Sequence, residues 1–211
     1  MTGGTLAPPL RLLVRASAAL AAGNEAAFEA ELRRAADGVA DPVAVEEALL
    51  QSYLFLGFPA AIAALARWRA ISGRPAADVD ALATPDAVEA WALRGAEVCG
   101  RVYGRAYEQL RRNVRRIHPA LDRWMVTEGY GKVLGRPGLG LRERELCIVA
   151  LLAGAGRAPQ LHSHLRGALR AGARPDEVTE ALEEGLAGRP AETARSARAL
   201  WKRVRDAGKD G

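Results

Sequence analysis

The chain has 211 residues, 49% hydrophobic and 26% charged, with a net charge of +5. That length buries a substantial core, as one large domain or two small intertwined ones, and the composition argues against disorder away from the ends. No run of 18 or more apolar residues is present, which excludes a membrane-spanning helix.

The opening Met1-Thr2-Gly3-Gly4 lacks the charged-then-apolar pattern of a signal peptide, so the expected location is the cytoplasm. The positive charge is almost all arginine and is spread along the chain; the only lysines are Lys132, Lys202 and Lys209. The densest basic cluster, Arg111, Arg112, Arg115 and Arg116, falls on one side of a helix. It reads as a solvated face, with a phosphate-binding surface as the lesser alternative, and a nucleic-acid partner is not expected. Cys99 and Cys147 stand 48 residues apart with no Cys-x-x-Cys pair, which excludes a disulfide framework and the usual dithiol redox motif. Both sit among apolar or small neighbours and read as buried structural thiols.

Taken in chain order, the segments read as an all-α protein, because proline and glycine punctuate helical patterns and no alternating β-branched run occurs. Residues 1–9 are expected to form a loose leader. A helical region follows from Leu10 to about Ala36, with a break near Gly23-Asn24. Asp41-Pro42 opens the next helix, the Asp as cap and the Pro in the first turn, and Gly57-Phe58-Pro59 closes it. A helix from Ala60 to Ile71 completes a first half at 10–72, and residues 73–84 form a Gly/Pro/Asp-rich linker. The second half, 85–207, opens with one long helix from Pro85 to Ile117, ending before His118-Pro119 because a residue preceding proline avoids the helical region. Further helices run from Pro119 to Val133, from Arg142 to about Leu152, from near Pro159, and from Ala191 to about Ala207.

An internal repeat links the halves. Val45-Glu46-Glu47-Ala48-Leu49 followed by Gly57-Phe58-Pro59-Ala60 echoes Val178-Thr179-Glu180-Ala181-Leu182 followed by Gly188-Arg189-Pro190-Ala191. The first half contains no histidine, so histidine chemistry is confined to the second.

That chemistry centres on Glu145 and His164. They flank the breaker Ala153-Gly154-Ala155-Gly156 at similar distances, so in an antiparallel helix pair rising about 1.5 Å per residue they lie at similar heights. Gln160 shares the face of His164 one turn earlier, and Leu161, Leu165, Ala168 and Leu169 make the adjoining apolar stripe. An imidazole at that edge beside a carboxylate suits general acid–base work; the alternative is a core-edge histidine bonded to a backbone carbonyl. His162 points about 200° away from His164 on a regular helix, so the two cannot share a metal, and no metal or other cofactor is expected. His118 reads as a helix-end residue.

The same stretch resembles the carboxymuconolactone decarboxylase family, which includes the AhpD-like alkylhydroperoxidases. The matching words are Arg136-Pro137-Gly138-Leu139, Arg144-Glu145-Leu146, the run from Gln160 to Leu169, Gly172, Val178-x-Glu180-x-Leu182 and Gly188-x-Pro190. Tyr103-Gly104-x-x-Tyr107 and the run from Tyr130 to Leu134 extend the likeness over about residues 95–200, and residues 40–70 look like a degenerate second copy of the family's helical hairpin.

The resemblance implies an all-α fold of two related helical halves and a homo-oligomer, a trimer or another small ring. In the family's peroxidase branch a Cys-x-x-Cys pair, a histidine four residues later and an upstream glutamate form the site. His164 and Glu145 match the last two, while Arg157 and Gln160 stand where the cysteines would be. The decarboxylase branch needs no thiol. By that resemblance the chain is a lyase acting on a small molecule, a carboxylate or lactone, with His164 and Glu145 catalytic. Arg136 or Arg166 would hold the substrate carboxylate, with Gln160 beside them. The alternatives are an oxidative-stress protein lacking the dithiol and a non-catalytic scaffold or ligand-binding protein.

Overall fold

The computed structural model describes residues 5–84 and 87–207, and helix ends in it fall where proline, polar caps and glycine put them. Helix α1 (Pro8–Ala22) starts on a proline and ends at Gly23. Asn24 caps α2 (Glu25–Arg34) by accepting from the Ala27 amide, and Asp41 caps α3 (Pro42–Gln51) by accepting from the Val43 amide. The short α4 (Tyr53–Leu56) and α5 (Phe58–Ser72) follow, separated by Gly57. Residues 73–84 carry no helix, and the Asp80–Arg136 ion pair and the Trp91 indole donating to the Leu82 carbonyl hold them against the body.

Three expectations need correction. Of the leader expected at residues 1–9, residues 1–4 lie outside the described residues, and the rest is not loose: Leu6 is buried and its amide donates to Glu180 at 2.9 Å, while Pro8 already begins α1. The single helix expected from Pro85 to Ile117 is two, α6 (Val88–Tyr103) and α7 (Tyr107–Ile117); Pro85 itself lies outside the described residues. The break is at Gly104, where φ 53° and ψ −130° lie outside the range side-chain-bearing residues adopt, and a 3₁₀ turn (Gly104–Ala106) bridges the helices. The helix expected from Pro119 to Val133 is α8 (Pro119–Trp124) continuing into a wide π-type helix, Met125–Leu134.

The remaining helices are α9 (Leu141–Gly154), α10 (Ala158–Arg170), α11 (Pro175–Leu186) and α12 (Ala191–Ala207). Every residue of α9 from Arg144 to Gly154 is buried, which makes it the central helix; α1, α10 and α11 wrap it. Helix α6 packs on the π-type helix at very close range. A Cβ on Gly131 would stand 1.8 Å from the Trp91 carbonyl oxygen, so both elements must be glycine where they cross, at Gly95 and Gly131.

The fold is all-α, with no strand among the described residues, and no described helix is long and apolar enough to cross a membrane. The order α1, α2, α3, α5 parallels the order α9, α10, α11, α12. Gly23 and Gly156, Pro42 and Pro175, and Val45 and Val178 occupy matching places in the two series, each pair 133 residues apart.

Candidate active site

Helix α9 carries Glu145 in its second turn and α10 carries His164 midway along its length. The short turn between these helices folds them back on each other, and His164 Nδ1 lies 2.8 Å from Glu145 Oε2. Glu145 is fully buried and His164 is 6% exposed. A carboxylate in that place accepts the Nδ1–H bond and so selects the tautomer whose Nε2 is free to take a proton. Nε2 makes no hydrogen bond among the described residues. The sequence-derived pairing of these two side chains is therefore met in space.

Two further residues shape the pair. Gly167, one turn beyond His164, leaves the room Glu145 occupies: a Cβ there would stand 2.8 Å from Glu145 Oε2 and 2.8 Å from Val102 Cγ1. A glycine inside an otherwise regular helix was its sequence signal. The ring of Phe55, from α4, meets the imidazole edge-on with centroids 5.4 Å apart, so the first half of the chain covers a site borne by the second. Nothing in the local sequence around Phe55 points there.

Around the far side of Glu145 lie phenols and a thiol, all kept neutral. Burial pushes the hydroxyls of Tyr103 and Tyr130 above their ordinary range, and the Glu145 charge adds to the effect. Those hydroxyl oxygens are 3.3 Å apart. Glu145 Oε1 is enclosed and has no hydrogen-bond partner among the described residues. Burial also pushes both thiols, Cys99 and Cys147, up to about 12, and neither is exposed. They are inert as nucleophiles at neutral pH, as buried cysteines are.

The other predicted site residues stand apart from the pair, and none hydrogen-bonds to Glu145 or His164. The Arg136 guanidinium is committed to Glu47 at 2.9 Å and Asp80 at 2.8 Å. It belongs to a buried cluster in which fully buried Arg144 holds Glu47 at 2.8 Å and the Leu139 carbonyl at 3.0 Å, joining the two halves. Gln160 is exposed in the first turn of α10. Arg166 is exposed on the face of α10 carrying His162 and Ser163, where it lines a groove of about 200 Å³ against α7. A second groove, of about 250 Å³, opens beside Asn24, Glu31 and Glu184. His164 lines neither. His118 caps α8 by accepting from the Ala120 amide, a helix-end role as expected. Of the basic cluster, Arg111 and Arg115 are both spent on Asp122, which is buried.

A central buried helix joined to an imidazole-bearing neighbour through a Glu–His hydrogen bond defines an all-α domain with a buried carboxylate–imidazole pair. Residues 104–203 match the family model of the carboxymuconolactone decarboxylase family. The chain is also similar to Peroxisomal protein 2 of Schizosaccharomyces pombe, with 29% identity over 143 residues, 67% of this chain and 67% of that protein.

Proposed function

We propose that the chain is a carboxymuconolactone decarboxylase-like enzyme of lyase type that moves a proton through His164, with Glu145 as its partner and without cysteine. The observation that carries this reading is the 2.8 Å Nδ1–Oε2 contact, which leaves Nε2 unbonded. On a carboxylated lactone the carbon–carboxylate bond breaks to release carbon dioxide, its electron pair stays on the carbon, and the Nε2–H of the imidazolium protonates that carbon. Glu145 holds the ring in register and compensates the imidazolium charge before the transfer. The buried thiols support a route that excludes dithiol chemistry, which leaves the peroxidase-type alternative without a nucleophile.

The test is carbon dioxide release from carboxylated lactones by wild type, His164→Gln and Glu145→Gln. Loss of turnover in His164→Gln with an unchanged fold is the expected result; full turnover in that variant overturns the reading. A second reading, a non-catalytic ligand-binding or scaffold protein, draws on the 6% exposure of His164 and its absence from both grooves. In that case the same variants shift only melting temperature or assembly.

The first half, α1 to α5, is read as a degenerate copy of α9 to α12, on the strength of the 133-residue correspondence. In it Glu31 takes the place of His164 and Leu12 that of Glu145, so it carries no proton-transfer pair of its own. Association into a trimer or another small ring is part of the same proposal. It is supported by large apolar side chains left on the surface, Phe58, Ile62, Leu121 and Trp124 among them. A cytoplasmic location completes the reading.

A further inference from the structure

We infer that the groove between α7 and α10 is a binding site for a small organic anion, anchored by Arg166 and Arg170 and separate from the His164 pair. Some arginines elsewhere in the chain hold carboxylates, among them Arg11 on Glu180, Arg15 on Glu184, Arg69 on Glu46 and Arg142 on Glu177. Arg166 holds none among the described residues, and no aspartate or glutamate lines the groove. Arg170 follows one helical turn later on the same face. One of its amino groups donates to the Val102 carbonyl at 3.0 Å, which fixes the guanidinium at the end of α6.

Gly104 lies against this cation: a Cβ there would stand 3.3 Å from Arg170 Nε, so the glycine at the break between α6 and α7 also leaves room for the Arg170 side chain. Burial, and after it the neighbouring Arg166 charge, press Arg170 below the ordinary arginine range.

The rest of the groove suits the body of such a ligand. Tyr103, Ala106 and Leu110 form an apolar wall, and the exposed His162 stands at the rim. Asn113 accepts from Gln109 at 2.7 Å, which leaves its own amide hydrogens available. About 200 Å³ accommodates a single-ring compound with one or two acidic groups. Two guanidiniums one turn apart match a carboxylate or a phosphate, each able to bridge both. Arg166 lies two residues from His164, about 200° around α10, so a ligand seated here is across the helix from the buried imidazole. The inference therefore does not depend on His164 being catalytic.

The experiment is titration of the full chain, at low and at moderate salt, with phthalate and separately with inorganic phosphate. Binding is read by calorimetry and by amide chemical shifts. Saturable binding with shifts confined to residues around Tyr103, Leu110 and Ser163 is expected, weakened at least tenfold in Arg166→Gln and further in the double variant with Arg170→Gln. Tighter binding of phthalate assigns a carboxylate ligand, and tighter binding of phosphate a phosphorylated one. His164→Gln should bind as wild type does, which separates this site from the proton-transfer pair. Arg166→Gln is an exposed replacement, so loss of fold does not confuse the result. Titration of Arg166→Gln like wild type, or no saturable shift with either anion, overturns the inference.

Discussion

A methyl group added at Gly167 tests whether the Glu145–His164 contact is a tightly held device or a loose approach. The new Cβ of Gly167→Ala would stand 2.8 Å from both Glu145 Oε2 and Val102 Cγ1, and 3.1 Å from Glu145 Cδ. These are well inside van der Waals contact, and Glu145 and Val102 are both fully buried. Relieving the clash means moving the carboxylate away from the imidazole. An extra methyl in a packed interior costs about 1–3 kcal/mol. Losing the charged hydrogen bond at 2.8 Å costs about 1.5–3 kcal/mol more. Alanine returns about 1 kcal/mol of helix propensity. The net expectation is a loss of about 3 kcal/mol, which for a chain of this size lowers Tm by about 9 °C. Thermal melts give the first number, and long-range nitrogen–proton correlation spectra of the His164 ring give the second readout, a change in tautomer as Nδ1 loses its acceptor. If Gly167→Ala melts above wild type, by the helix propensity alone, with the His164 nitrogens unmoved, the carboxylate is not confined as argued.

Three other outcomes follow from the same geometry. With thiols pushed up to about 12, iodoacetamide at pH 8 should leave Cys99 and Cys147 unmodified in the folded chain and alkylate both in denaturant; rapid labelling of the native protein contradicts their burial. The Arg111 and Arg115 guanidiniums hold the Asp122 carboxyl below the ordinary carboxylate range. Its stabilising contribution is therefore complete above the ordinary value near ~4 and is lost as pH falls through the lower folded value. Asp122→Asn should cost about 2 kcal/mol at pH 7 in urea unfolding, and the gap to wild type should close at acid pH; a gap that persists there contradicts the assignment. Gly131→Ala, whose Cβ would stand 1.8 Å from a backbone oxygen of α6, should cost about 3 kcal/mol or more by the same measurement, and a cost under about 1 kcal/mol refutes the close crossing.

Local chemistry was legible where one helix settles the matter. Caps at Asp41, prolines at the heads of helices and the breaker before α10 are statements about single backbones, so those helix ends could be read directly. The Glu145–His164 pairing could be read too, because a short turn and a known rise per residue fix the heights of two neighbouring helices. The break at Gly104 was missed because one glycine inside a helical pattern is tolerated more often than it is a hinge. Leu6 was misread as part of a loose leader because Glu180, which holds it, lies 174 positions along the chain.

By itself the sequence determined an all-α chain with a Glu–His pair on adjacent helices and no Cys-x-x-Cys pair. Tertiary structure alone decided which arginines are free. Arg136 and Arg166 look equally available in the sequence, yet packing sets Arg136 against Glu47, 89 residues away, and leaves Arg166 in a groove that no carboxylate lines. It also decided that Phe55 covers His164. The reason is physical: a helix fixes which face a side chain shares, whereas the partner brought to that face depends on how every other helix packs around the buried α9.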